Sequence, residues 1–431
     1  MARKMKDSGI EWIGEIPEGW EVHRIKNHFL IISGSGFKPE LQGQSTGDFP
    51  VCKASDISSS GHYLHTSANY ITSDIVKSQH FSIIPKGSIL FAKIGEAMRK
   101  NNRSLCSLDC CVDNNCQGLV PKNISSEFSY YLFTCIDMTW FDNAGTIPCI
   151  NNQKLYDCRI PFPSYGEQTL IANHLNIQCA KINEMLFHIR SSIEEYKKLK
   201  QVVITRAVTK GVRGEREMKD SGNPWFGQIP TDWKLSRVGL HFSIILGKML
   251  CNAPLNDTYT LEPYYCAADV HFDGVTDGER KKMWFSPIEK DLYRVSVGDL
   301  LVVEGGAGAG GSAIVEKQDS DTYVQNSIMI VRSKGNADNR YLRYLLEFLV
   351  KQGYIDVVCN KATIPHFTKD KLSCVPFCLC PTGEQKEIAD YLDAKCAEID
   401  GLIAKKEQLV KELESYKKSL IYEVVTGKRE V

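Results

Sequence analysis

Two short runs carry side chains of the kind that can hold a polyanion. Met98 to Arg103 reads MRKNNR, and Glu279 to Lys282 reads ERKK beside Met283-Trp284-Phe285. Arg99, Lys100 and Arg103 have the chemistry to contact phosphates or a guanine edge; Asn101 and Asn102 suit an adenine edge. Arg280, Lys281 and Lys282 offer similar contacts in the second run. Lys93 and Glu304 each end an apolar run and could face the same kind of surface. A solvated surface loop is the plainer alternative for both runs.

Signatures of catalysis do not assemble. The chain has no Walker A box and no H-E-x-x-H pair. Gly306, Gly308 and Gly311 satisfy G-x-G-x-x-G, but Ser312-Ala313-Ile314-Val315 reads as a strand. No helix N-terminus then follows to hold a pyrophosphate, and a glycine-rich hairpin or binding loop is expected. Asn252-Ala253-Pro254-Leu255 is not the Asn/Asp-Pro-Pro-aromatic box of an adenine methyltransferase. The 16 cysteines include no C-x-x-C pair. Reduced thiols of a cytoplasmic protein are expected, with no metal there or at His62 and His65.

Bulk properties bound the class. A chain of 431 residues exceeds one hydrophobic core. No run of 18 apolar residues occurs, so no membrane span is expected, and MARKMKDSG lacks the apolar region of a secretory signal. Lys plus Arg and Asp plus Glu are each 52, for a net charge of zero. Nucleic-acid binders are often basic overall. Neutrality therefore counts against DNA binding unless charge is segregated or a partner adds positive surface.

Two long segments must position any reading surface. Glu167 to Thr209 and Glu384 to Thr426 each open on Glu-Gln and close on Val-Thr, at one offset, 384 − 167 = 426 − 209 = 217. Neither contains Pro. Ile182, Met185, Ile189, Tyr196, Leu199 and Val203 fall at alternating steps of three and four, with Ser192 filling one step. The second copy places Ile399, Leu402, Lys406, Leu409, Leu413, Tyr416 and Leu420 likewise. That spacing predicts a coiled-coil seam, most simply between the two segments. About 40 residues at 1.5 Å each make a helix of about 60 Å.

The remainder repeats as well. Met5 to Ile25 and Met218 to Val238 share 11 of 21 residues, including MKDSG and both tryptophans of W-x-G-x-I-P-x-x-W. A region of short strands follows each opening, then a helix near Ser125–Cys135 and near Asn339–Lys351. Ser58 to Gly61 reads as a turn. Thr146-Ile147-Pro148 and Thr363-Ile364-Pro365 are again 217 apart. Loops Gly34–Gly47, Ala97–Asn115, Asp273–Lys282 and Glu304–Gly311 have no convincing counterparts. A repeated scaffold with divergent loops suits two recognition modules with different targets.

These motifs, in this order and twice over, resemble the specificity subunit, HsdS, of type I restriction-modification systems. The resemblance covers essentially the whole chain. It implies an α+β fold of two tandem target recognition domains, mixed and strand-rich with short helices. A long helix follows each, and the two helices pair as an antiparallel coiled coil. The implied boundaries are 1–165 and 211–381 for the recognition domains, and 166–210 and 382–431 for the spacer helices.

The implied function is binding of a split double-stranded DNA target, one half-site per domain, without catalysis by this chain. The implied partners are two methyltransferase subunits and restriction subunits. S-adenosylmethionine, ATP and Mg are expected on those partners, with no cofactor on this chain. A type II-like restriction-modification enzyme shares the architecture. A non-DNA coiled-coil scaffold presenting two binding modules is the alternative from a different class.

Overall fold

The computed structural model describes residues 3–143, 145–317, 321–359 and 365–431. The chain forms two compact units: Met1–Arg190 with Gln408–Val431, and Ser191–Glu407. Each long helix divides between them, since one runs Tyr165–Lys210 and the other Thr382–Val425. Among the described residues no helix is long and apolar enough to cross a membrane.

The first unit is built on a five-stranded sheet. Its order is Phe29–Ser33, Cys116–Pro121, Ile89–Ala92, Arg103–Cys106 and Tyr63–Leu64. The run Ile-Leu-Phe-Ala at 89–92 is buried on both faces, as a central strand should be. Helix Ser126–Thr134 packs there; the Ser125 hydroxyl accepts from the Phe128 amide and caps it. The opening motif is a hairpin, Met5–Ile10 against Gly14–Pro17, that ends at the buried Trp20. Ser58 to Gly61 departs from the expected turn. Helix Ala54–Ser60 occupies it, because Asp56 closes a capping box with the Lys53 amide; the turn is the left-handed Gly61 alone.

The second unit repeats the plan. Its main sheet runs Phe242–Leu246, Ile328–Ser333, Leu300–Val303 and Ser312–Ile314. Asp338 caps helix Asn339–Lys351 by accepting from the Arg340 and Tyr341 amides. Hairpin Met218–Asp220 with Gln228–Pro230 leads to the buried Trp233. The glycine run 304–311 joins antiparallel strands Leu300–Val303 and Ser312–Ile314, as the sequence suggests.

Inside each unit the two long helices run antiparallel. In the first, Lys417 donates to Asn183 and Arg190 pairs with Glu414. In the second, Lys200 pairs with Asp400 at 2.7 Å, and Lys406 lies 5.6 Å from the Tyr196 ring centre. Lys200 and Asp400 shift onto Lys417 and Asn183 by 217, so one contact occurs twice.

The seam departs from the predicted register at alternate steps. Ile182, Ile399 and Leu420 are buried, and Ile189, Tyr196, Val203, Leu402 and Leu413 are half-buried. Met185, Leu199, Leu409 and Tyr416 instead stand 46, 46, 42 and 49% exposed. Their places are taken one residue later by Leu186, Lys200, Val410 and Lys417; Ile193 fills the Ser192 step, and Ile403 is half-buried beside Leu402. Both tracks satisfy three-four spacing, and Met185-Leu186 is apolar on both. At Lys200 and Lys417 the stem lies in the seam while the amine reaches a polar partner.

Candidate nucleic-acid interface

The MRKNNR run is not one loop. Gly95–Arg99 forms a short helix, Asn101 turns the chain at φ +57°, and Arg103 opens strand Arg103–Cys106. That strand carries Arg103 inward, leaving it 6% exposed. Its Nη2 donates to the Ile136 carbonyl and, at 2.7 Å, to the Asn101 side chain. The same Asn101 oxygen accepts from the Met138 amide at 3.0 Å. Burial pushes the Arg103 guanidinium down to about 10. Arg103 and Asn101 therefore brace the turn at Met138–Phe141.

Asn102 is half-buried and donates to Ser58. Lys93 is half-buried at the end of Ile89–Ala92, where its carbonyl accepts from Ile150. Arg99 and Lys100 remain fully outward; Arg99 is loosely paired with Glu96 at 3.6 Å.

The ERKK run divides similarly. Arg280 donates to Asp269 at 3.1 Å and lies 4.6 Å from the Tyr265 ring centre. Lys281 and Lys282 are exposed at the start of strand Lys281–Phe285, on opposite faces of the pleat. Glu304 faces His366 at 3.4 Å. Of the candidate cations, those that face outward are thus Arg99 and Lys100 in the first unit and Lys281 and Lys282 in the second.

Two features carried no sequence signal. His62 stacks between Tyr63 and Tyr130, at 4.2 and 4.0 Å, and faces Glu127 at 3.1 Å. Tyr130 and Glu127 come from helix Ser126–Thr134, far from His62 in sequence, so linear spacing could not reveal the stack. In the second unit Met249, Leu250 and Leu255 stand 75, 51 and 79% exposed on the loop after Phe242–Leu246.

The repeated motifs turn out to be clasps that hold each unit on its helices. Glu167 pairs with Arg3, whose guanidinium lies 5.5 Å from the Trp20 ring centre. Glu384 pairs with Arg216 at 2.8 Å, accepts from the Trp233 indole, and Arg216 lies 5.9 Å from that ring centre. Gln168 accepts from the Ser125 amide at 2.8 Å; Gln385 accepts from the Asp338 amide at 3.0 Å. Each glutamine also donates to the carbonyl just before its helix, at Pro163 and Cys380. The prolines of Thr-Ile-Pro act at the sheet: Pro148 accepts from Gly95, and Pro365 from Gly306. Both glycines have positive φ, 69° and 86°. Residues 360–364, which include Thr363 and Ile364 of the second copy, lie outside the described residues.

All 16 cysteines are free. Burial pushes the Cys111 and Cys158 thiols up to about 11, away from the reactive thiolate. Among the described residues no group of three or more His, Cys, Asp or Glu is placed to hold a metal ion.

The structure is thus a duplicated module on paired helices, with polar edges that differ between copies. The sequence matches the family "Type I restriction modification DNA specificity domain" at residues 17–195 and again at 231–412, and the chain belongs to that family. It is 26% identical over 441 residues to the putative type I restriction enzyme MjaX specificity subunit of Methanocaldococcus jannaschii, covering 96% of this chain and 95% of that protein.

The MjaIX specificity subunit of the same organism is also 26% identical, over 264 residues; the match takes in 57% of this chain and 56% of that relative's length. The StySPI specificity subunit of Salmonella potsdam is 20% identical, over 96% of this chain and 90% of its own. The fold is that of a chain from a solved structure described as "Structural basis underlying complex assembly and conformational transition of the type I R-M system". The TM-score is 0.71 at 18% identity, covering 96% of this chain and 99% of that one. The HsdS subunit from Thermoanaerobacter tengcongensis aligns with a TM-score of 0.51 at 18% identity, over 96% and 98%.

Proposed function

We propose that this chain selects the DNA target of a type I restriction-modification complex. Each unit reads one half of a split double-stranded site, and the chain docks two methyltransferase subunits and the restriction subunits. The observation that carries this reading is duplication: the specificity domain matches twice, on two units of one plan whose exposed polar edges differ.

The chain performs no chemistry in this account. S-adenosylmethionine, ATP and Mg belong to the partner subunits, and the complex works in the cytoplasm. Residues 1–165 and 211–381 are the readers, and 166–210 and 382–431 the spacer helices. The zero net charge fits a reader whose DNA is also gripped by cationic partner surface. Of the candidate cations, Arg99, Lys100, Lys281 and Lys282 face outward.

Methylation tests the reading. The chain is co-expressed with its methyltransferase subunit, and host DNA is sequenced molecule by molecule. A split adenine-methylated motif with a fixed gap is expected. Co-purification of the two proteins with no new methylated motif would contradict a specificity role.

A further inference from the structure

The first unit contains a groove of about 790 Å³ between its recognition region and its share of the two long helices. Arg103, Arg190, Lys417 and Lys418 line it, with Glu414 as the one carboxylate among the described lining residues. Glu414 is taken up by Arg190. Lys417 has only the neutral Asn183 as its hydrogen-bond partner among the described residues. Arg103 is 6% exposed; its Nε is buried with no hydrogen-bond partner, and its two bonds go to neutral oxygens. A buried guanidinium with no hydrogen-bonded carboxylate is costly; Asp137 supports it only through longer-range attraction, and burial still pulls it down to about 10.

The second unit shows how the same place is balanced. Helix Ser126–Thr134 corresponds to Asn339–Lys351 at an offset of 213, so Thr134 corresponds to Glu347. Asn183 corresponds to Asp400 at the helix offset of 217. Arg103, paired with Phe91, corresponds to Ser312, paired with Val302. In the second unit Lys200 meets Asp400 at 2.7 Å and Arg343 meets Glu347 at 3.1 Å. There each cation has its own carboxylate. The first unit replaces both carboxylates with neutral residues, has Tyr130 in place of Arg343, and buries Arg103 instead, so two cations remain without either carboxylate.

We propose that the first unit's groove binds a phosphate-class oxyanion, with Arg103 and Lys417 as its cations, and that the second unit has no such site. A guanidinium and an ammonium together match such an anion, and a groove of this volume is in the range of small-ligand sites. The oxyanion comes either from the DNA backbone or from a free phosphorylated molecule. The site does not depend on the specificity role proposed above.

The test uses the full chain. Its unfolding temperature is measured against inorganic phosphate, with chloride at equal ionic strength as the reference. Phosphate should raise it saturably above the chloride value. Asn183→Asp supplies the carboxylate that the second unit already has, at an exposed helix position where folding is not threatened. It should remove most of the phosphate response, and Asn183→Asp with Thr134→Glu should remove all of it. No saturable response in the parent, or an undiminished response in the double variant, would overturn the proposal.

The salt dependence of DNA affinity, measured with the methyltransferase partner, names the source. Loss of about one phosphate's worth of slope in Asn183→Asp identifies the DNA backbone, and an unchanged slope identifies a free phosphorylated molecule. Either result leaves the site in place.

Discussion

The hairpin Ile89–Cys106 of the first unit and the hairpin Leu300–Ile314 of the second begin alike and end differently. Both start with four buried apolar residues, and both turn at a glycine of positive φ whose amide donates to the proline of a Thr-Ile-Pro segment. Beyond that glycine the first unit forms a short helix and buries an arginine. The second spans the gap with glycines and buries Ser312. The buried strand and its turn fix where the edge begins; the residues past the turn are free to change without loss of the sheet. Divergence at a constant anchor is what two readers of different half-sites need.

The helices supply the counterpart, where the two copies agree. Leu186 and Ile403 occupy equivalent seam positions, as do Ile193 and Val410. The largest expected effect tests that register. Leu186→Ala should cost about 2–5 kcal/mol, while Met185→Ala should cost less than about 1 kcal/mol. Chemical denaturation reads both. Equal costs would return the seam to the spacing first expected.

Smaller effects should follow at the clasps. Gln168→Ala and Gln385→Ala each leave a partly buried backbone amide without its acceptor, at about 1–2 kcal/mol. Hydrogen exchange should report the loss at Ser125 in one variant and at Asp338 in the other. A change spread evenly over both units would contradict separate clasps.

Glu347 gives the comparison a pH signature. Burial raises its carboxyl above the ordinary range, although Arg343 opposes the shift. A carboxyl whose folded value is raised favours folding when protonated. Its contribution is present below the unfolded value and is lost as pH rises to the raised one. The stability of Glu347→Gln relative to the parent should therefore shift in the variant's favour as pH rises across that window, whatever fixed cost comes from leaving Arg343 without its carboxylate. Thr134→Gln, the equivalent change in the first unit, should show no such trend in paired melts from pH 4 to 7.

The smallest structural effects belong to the outward cations. Arg99→Ala and Lys282→Ala should leave stability within about 0.5 kcal/mol. Each should weaken or relax one half of the methylated motif only. Loss of both halves together would indicate misfolding.

Much of this plan was legible in the sequence. Eleven identities in 21 residues and a common offset of 217 revealed the duplication, and three-four spacing over proline-free segments revealed both helices. The seam register was not legible, because a choice between Met185 and Leu186 depends on the partner surface. The fate of MRKNNR was also hidden. Its second arginine turns inward because Arg103 pairs with Phe91, a register that composition does not encode. The Glu-Gln pairs were visible as landmarks, but their partners lie far away in sequence, at Arg3, Ser125, Arg216 and Asp338.

The central claim is that each unit reads its own half-site. A chain in which residues 211–381 are replaced by a second copy of the first recognition region tests it most directly. Co-expressed with the methyltransferase subunit, this chain should redirect adenine methylation to an inverted repeat of one half-site across a similar gap. An unchanged motif, or an altered motif whose halves still differ, would contradict the account.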